Sequence, residues 1–341
     1  MNLSELNKVA LAMVTPGKGI LAADESSGTI KKRFDAIKVE STEQTRRDYR
    51  EMLFRSTEAM SKYVSGVILY DETIWQDARD GTPLIKLIEQ AGAIPGIKVD
   101  EGTQALSGCP GELVTAGLDK LAERLKKYHE RGARFAKWRA VIDIGHNIPS
   151  TTAIQVNAHA LARYAALCQA AQIVPIVEPE VLMDGDHDIE RCYEVTERVL
   201  NETFQQLRMQ RVALEGMVLK PNMAVSGKKC PQQASVEEVA EKTIRLLKAC
   251  VPAAVPGIAF LSGGQSDEQA TAHLNAMNRI ANLPWRLTFS YGRALQAAPQ
   301  KAWAGKAANV ASGQRAFTHR AHMNALASQG EWATELEKKA A

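Results

Sequence analysis

The chain has 341 residues, 45% of them hydrophobic and 24% charged, with a formal net charge of +3. This is the composition of a globular protein with ample core material, and so small a net charge argues against a nucleic acid or a membrane surface as the main partner. No apolar run approaches the roughly 18 residues of a membrane span, and the five cysteines (Cys109, Cys168, Cys192, Cys230 and Cys250) lack any Cys-x-x-Cys spacing, as expected for reduced thiols in a cytoplasmic protein.

The first segment, about residues 2–15, is interrupted by Glu5 and Lys8. It is too polar for a secretory signal and reads as a short amphipathic helix stopped at Pro16. Eight short apolar runs follow: "GILAADES" (19–26), "SGVILYDE" (65–72), "IPGIKVDEG" (94–102), "RFAKWRAV" (134–141), "IVPIVEPEV" (173–181), "MVLKPNM" (217–223), "GIAFLSGGQS" (257–266) and "WRLTFSYGR" (285–293). Each is short and rich in Ile, Val and Leu, the pattern of a strand buried on both faces. Capped amphipathic helices are expected between them, at 41–63, 151–171 and 235–251 among others. Strands alternating with helices build parallel βα units. Eight units without a linker or change of composition predict a single-domain α/β protein, a (β/α)8 TIM barrel over residues 1–341. A helical extension is expected over about 293–341.

Polar residues gather in the later half of these runs: Asp24, Asp71, Lys98, Lys137, Arg139, Glu178, Glu180, Lys220 and Ser262. In this fold that is the end of the barrel where catalytic residues lie, so a shared polar pocket is predicted. Lys220 ends an apolar run, where an ammonium loses hydration. Burial and neighbouring cations such as Lys98, Lys137 and Arg139 would favour the neutral amine, the form that attacks a carbonyl. The same lysine also fits a structural ion network with Glu178 or Asp24. Glu178 and Glu180 are two apart and share one strand face; with Asp24 they suit proton transfer beside cations, or structural salt bridges.

The loops after runs seven and eight carry Ser262, Gly263, Gly264, Ser290, Gly292 and Arg293. Glycines admit an anion to backbone N–H groups ahead of a helix, and barrels of this kind often bind phosphate at that place. A second anion site is suggested at 25–34, where Ser26, Ser27, Gly28 and Thr29 precede Lys31, Lys32 and Arg33, with Lys98 in reach. That stretch also reads as a capped helix start. The seven histidines show no metal-ligand spacing, which disfavours a metal-activated carbonyl chemistry.

Taken together, "GKGILAADES", "AKWRA", "IVPIVEPEVLMDGDHD", "VLKPNMAVSG", "FLSGGQSDEQA" and "FSYGRALQAAPQKAW" make the chain resemble the class I, Schiff-base fructose-bisphosphate aldolases over about residues 3–332. The resemblance implies reversible cleavage of fructose 1,6-bisphosphate to dihydroxyacetone phosphate and glyceraldehyde 3-phosphate, with no metal or organic cofactor. It implies that Lys220 is the Schiff-base lysine, Glu178 the acid/base of imine formation, and Asp24 the carboxylate that takes the C4-hydroxyl proton. It further implies that Lys137 is a cation holding intermediates, supported by Glu180 and Arg139. Ser262, Gly263, Gly264, Ser290, Gly292 and Arg293 would cradle the C1-phosphate, and Ser26, Thr29, Arg33 and Lys98 would meet the other phosphate. Thr29 stands where the family often has serine. A cytoplasmic homotetramer acting on phosphosugars is implied, without nucleic-acid or membrane partners. Alternatives sharing these features are another Schiff-base barrel enzyme, such as a transaldolase, acting on a singly phosphorylated sugar, and a non-catalytic sugar-phosphate-binding protein. The terminal tyrosine of animal and plant members has no counterpart here, and the charged end "ELEKKAA" is expected to be a solvated helix end.

Overall fold

Each of the eight apolar runs becomes a buried parallel strand. A computed structural model describes residues 1–340. Its strands are β1 (Gly19–Ala23), β2 (Val64–Leu69), β3 (Ile94–Lys98), β4 (Thr103–Ala105), β5 (Leu113–Thr115), β6 (Phe135–Ile142), β7 (Val174–Val181), β8 (Val218–Leu219), β9 (Gly257–Phe260) and β10 (Arg286–Tyr291). All but β4 and β5 close into one barrel, in the circular order β1-β2-β3-β6-β7-β8-β9-β10, with parallel pairing throughout. The antiparallel β4–β5 hairpin was not foreseen. Its strands are three residues long and mostly exposed, so no buried apolar run announces it.

Alternation along each strand divides side chains between the barrel interior and the surrounding helices. The lower interior is apolar: Ile20, Ala22, Ile68, Phe135, Val174, Ile176, Val218 and Ala259 form one cluster with Leu6, Ala10, Met13 and Val14. The N-terminal helix Leu3–Met13, capped by Asn2, thus closes the bottom of the barrel. Large rings fill the space that glycines leave. A β-carbon on Gly96 would collide with the Phe135 ring, and one on Gly19 with Phe289. The outer strand faces pack with the helices in the main core, which holds Trp138, Tyr164, Leu219 and Phe260.

The helices expected at 151–171 and 235–251 are present as Thr151–Ala170 and Val236–Cys250, capped by Ser150 and Ser235. The one expected at 41–63 is two helices, Glu43–Phe54 and Thr57–Lys62. The break falls where Ser56 turns its hydroxyl back onto the Met52 carbonyl at 3.0 Å, a local bond that competes with helix continuation. No helix among the described residues is long and apolar enough to cross a membrane.

The chain end differs from expectation. Thr334, Glu335 and Lys338 are exposed, but the Glu337 side chain is only 9% exposed. Its carboxylate accepts from Arg320 Nη1 at 2.7 Å, His319 Nε2 at 2.9 Å and Trp332 Nε1 at 3.0 Å. The reason lies in Arg320, which is buried on the helix Val310–Ala327 and needs a counter-charge. Burial alone would raise the Glu337 pKa, but Arg320 and His319 outweigh it and hold the carboxyl below its usual range. The stabilisation is therefore full above the unfolded carboxylate pKa and is lost as pH falls through the depressed one. Glu337→Ala strands the buried guanidinium and should cost about 2–3 kcal/mol in chemical denaturation at neutral pH. A change within about 0.5 kcal/mol, the range of ordinary surface substitutions, would refute the anchor.

Candidate active site

The interior positions change from apolar to charged on passing up the strands. Two residues beyond Ile20 and Ala22 comes Asp24; beyond Phe135 come Lys137 and Arg139; beyond Ile176 come Glu178 and Glu180; beyond Val218 comes Lys220. With a period of two, these side chains share the inner face with the apolar residues below them. β8 ends at Leu219, yet the Lys220 N–H still bonds the Val177 carbonyl at 2.8 Å, so the lysine keeps its ladder position. Asn222 secures the next turn: its Oδ1 accepts from Val181 N at 3.0 Å and its Nδ2 donates to Thr196 Oγ1 at 3.1 Å.

Four of these groups form a chain of alternating charge. Asp24 Oδ2 accepts from Lys137 Nζ at 3.0 Å, Lys137 Nζ stands 3.1 Å from Glu178 Oε2, and Glu178 Oε1 stands 3.1 Å from Lys220 Nζ. The two Glu178 contacts are ion pairs outside hydrogen-bond geometry, and Oε2 has no hydrogen-bond partner among the described residues. Burial would raise the Asp24 pKa, but Lys137, Lys220 and Lys98 outweigh it and lower it to about 2. Burial opposes the Lys137 charge, but Asp24, Glu178 and Asp100 hold its pKa above that of an ordinary lysine. Arg139 is paired to Glu180, which in the same way overcomes burial and raises the guanidinium pKa.

These side chains form the floor of a cleft of about 650 Å³. Its walls include Ser26, Thr29, Arg33, Lys98, Ser262, Gly263, Ser290, Gly292 and Arg293, so the structure brings together the proposed acid/base, amine and anion-binding groups. Ser26 caps the helix Ser27–Ala36, and its Oγ lies 3.1 Å from Thr29 Oγ1. Lys98 is paired with Asp100 at 2.9 Å. The buried Ser290 hydroxyl has no partner among the described residues, a donor left over for a ligand. Gly292 begins the helix Arg293–Trp303 without a side-chain cap, leaving that helix start open to an anion.

Two features differ from the sequence reading. Asp71 is not in the cleft: it opens the helix Asp71–Trp75 and accepts from Tyr128 Oη at 2.7 Å. Gly264 is not among the residues that line the cleft, although a β-carbon on it would meet Lys228 and also Arg293, which does line it. Arg33 borders the Gly292 loop, with Nη2 3.7 Å from where a β-carbon on Gly292 would be, so the two expected anion-binding groups adjoin along one edge. They must, because β1 and β10 are neighbours in the closed barrel. Glu25 joins their loops: one of its carboxylate oxygens accepts from Arg33 and from Gln296 Nε2, the latter at 2.7 Å. Glu25, Asp100, Gly102 and Thr103 line the cleft without having been singled out as site residues. The carboxylates at strand ends were the available signal, whereas Gly102 and Thr103 depend on the unforeseen hairpin.

Among the described residues, no three His, Cys, Asp or Glu side chains gather as metal ligands. The family model described as "Fructose-bisphosphate aldolase class-I" matches residues 5–341. A probable class 1 fructose-bisphosphate aldolase of Xanthomonas campestris is 59% identical, covering 97% of this chain and 99% of that one. A cytosolic fructose-bisphosphate aldolase of Arabidopsis thaliana is 54% identical over 96% of this chain and 83% of its own. The solved fructose-bisphosphate aldolase of Plasmodium falciparum, in complex with TRAP and a small-molecule inhibitor, superposes with a TM-score of 0.96 at 47% identity, covering 97% of this chain and 96% of that one. With its closed barrel and a match running through nearly its whole length, the chain belongs to the class I fructose-bisphosphate aldolase family.

Proposed function

We propose that Lys220 is the nucleophile of a reversible cleavage of fructose 1,6-bisphosphate to dihydroxyacetone phosphate and glyceraldehyde 3-phosphate, with Glu178 and Asp24 as its proton carriers. The observation that carries this reading is the alternating chain Asp24–Lys137–Glu178–Lys220 on the floor of a cleft whose walls suit anions. Lys220 gives a proton to Glu178, 3.1 Å away, and the neutral amine attacks the substrate ketone. A second proton passes from the attacking nitrogen to the former ketone oxygen to give the carbinolamine, and Glu178 then returns the first proton to that hydroxyl, which departs as water and leaves a cationic iminium. Asp24 then accepts the C4-hydroxyl proton while the C3–C4 electrons pass into the iminium, giving the aldehyde and a neutral enamine. Glu178, reprotonated through a water by the proton that Asp24 has taken, is also the group proposed to protonate the enamine carbon before hydrolysis frees the second product.

A carboxylate held near pKa 2 is a poor base at rest, and the charges explain how it can act. Lys220 is one of the cations that depress Asp24. When the iminium becomes an enamine that positive charge disappears, so Asp24 becomes more basic as the proton reaches it. Lys137 stays charged between Asp24 and Glu178 and holds the developing oxyanions; Arg139 and Glu180 fix the next layer out. Ser262, Gly263, Gly264, Ser290, Gly292 and Arg293 are proposed to bind the C1-phosphate, and Ser26, Thr29, Arg33 and Lys98 the other. We further propose that residues 1–341 act as one domain in a cytoplasmic homotetramer without nucleic-acid or membrane partners. The cytosolic Arabidopsis relative supports the compartment, and light scattering of the purified protein tests the assembly.

Borohydride reduction in the presence of dihydroxyacetone phosphate should label Lys220 alone, and EDTA should leave turnover unchanged. Label on another lysine, or activity lost to EDTA and restored by zinc, would overturn the assignment. Lys137→Met removes the first of the cations acting on Asp24. The Asp24 carboxyl, followed by carbon NMR, should then titrate more than about one unit higher; an unmoved titration would mean that Lys137 does not control it. Arg293→Ala should raise KM for fructose 1,6-bisphosphate about ten- to a hundredfold, the worth of a charge-assisted phosphate bond. KM for fructose 6-phosphate, which lacks the C1-phosphate, should barely change. Equal effects on both substrates would make Arg293 structural.

A further inference from the structure

We propose that Lys228 is a further phosphate-binding residue, a cation that joins Arg293 on the C1-phosphate and exchanges its carboxylate partner Asp184 for the substrate. The proposal rests on reading the Ser262–Gly264 loop and Arg293 as the C1-phosphate cradle.

The geometry starts from Gly264, whose φ of +131° suits only glycine. A β-carbon there would collide with Nζ of Lys228 and stand 3.2 Å from Nη2 of Arg293, so an ammonium and a guanidinium converge on one point of the loop. Two cations so close repel each other unless an anion lies between them. The only carboxylate paired with Lys228 among the described residues is Asp184, at 2.5 Å. That pair is exposed, 39% on the lysine and 59% on the aspartate, so water screens it and little holds it together. A phosphate dianion carries about twice the charge of a carboxylate and more acceptor oxygens, so it competes well for the same ammonium.

The backbone beneath Lys228 is fixed, while its side chain is part exposed. Gly227 N bonds the His187 carbonyl at 2.8 Å, Lys228 N the Met183 carbonyl at 2.7 Å, and Lys229 N the Gly185 carbonyl at 2.9 Å. These bonds zip the loop after β8 to the loop after β7. A β-carbon on Gly227 would run into the Gly185 carbonyl oxygen, so the close approach depends on glycine there. The lysine therefore leaves a rigid base, eight residues beyond the Schiff-base lysine, and reaches across to the loop after β9.

The test measures inhibition by inorganic phosphate, competitive with fructose 1,6-bisphosphate, on the full-length protein. Lys228→Met should weaken the phosphate Ki about tenfold and raise KM for fructose 1,6-bisphosphate in step, leaving KM for fructose 6-phosphate unchanged. Lys228→Arg, which keeps the cation, should restore most of the affinity. Asp184→Asn frees the ammonium and should tighten the phosphate Ki or leave it unaltered. If Asp184→Asn weakens phosphate as much as Lys228→Met, the ion pair is only structural and the proposal falls. Arg293→Ala separates the two readings. Loss of phosphate affinity in Arg293→Ala but not in Lys228→Met rejects Lys228 alone, while no loss in either rejects the cradle as well.

Discussion

The active end of this barrel depends on one buried chain of alternating charges, Asp24–Lys137–Glu178–Lys220. The Lys137, Glu178 and Lys220 side chains are nearly sealed from water, and Asp24 is 13% exposed. Removing each charge from water costs several kcal/mol, and mutual attraction offsets this only while all four are present. Such a chain adds little to stability. Its value is that the total charge is zero and stays zero when a proton passes from Lys220 to Glu178. An isolated buried lysine would leave a net charge behind whenever its partner was neutralised. Here the neutral amine and the protonated acid arise together, which is the pair that imine formation consumes.

Holding four charges in register requires a stiff floor, and the lower barrel supplies one. Phe135 fills the space beside Gly96, and the N-terminal helix closes the base with Leu6, Ala10 and Met13. The shortest barrel strand is the one that leads into Lys220, the proposed nucleophile: β8 has only two residues. Asn222 makes good the deficit by bridging to Val181 and Thr196, so the chain beyond Lys220 is tied to β7 by a side chain where ladder bonds are missing. The proline between them cannot donate such a bond, and the asparagine does its work instead.

The strands were readable because each is a short run rich in Ile, Val and Leu, the pattern of a strand buried on both faces. The charged strand ends were readable for the same reason: a Lys or Glu at the end of a Val/Ile run has few places to go but a shared polar pocket. Asp71 shows the limit. It too follows an apolar run, but it starts a short helix and turns outward to Tyr128. Glu337 and Lys228 were missed because their roles depend on partners far away in sequence, Arg320 and Arg293, and no local period marks such a pairing. The hairpin β4–β5 was missed because its exposed residues carry no hydrophobic pattern.

Closure of the barrel has a chemical consequence at the cleft edge. A parallel sheet left open would put the loops after its first and last strands at opposite ends; pairing of β1 with β10 makes them neighbours. Glu25, after β1, and Gln296, on the helix after β10, meet through a hydrogen bond of 2.7 Å, and the same carboxylate restrains Arg33. Gln296 also donates to the Ala22 carbonyl at 2.7 Å and accepts from Tyr49 Oη at 3.1 Å, which anchors the junction in the core. The Arg33 guanidinium is therefore positioned from the β1 side but borders the Gly292 loop of the β10 side. The two groups proposed to bind the phosphates are thus joined at this seam.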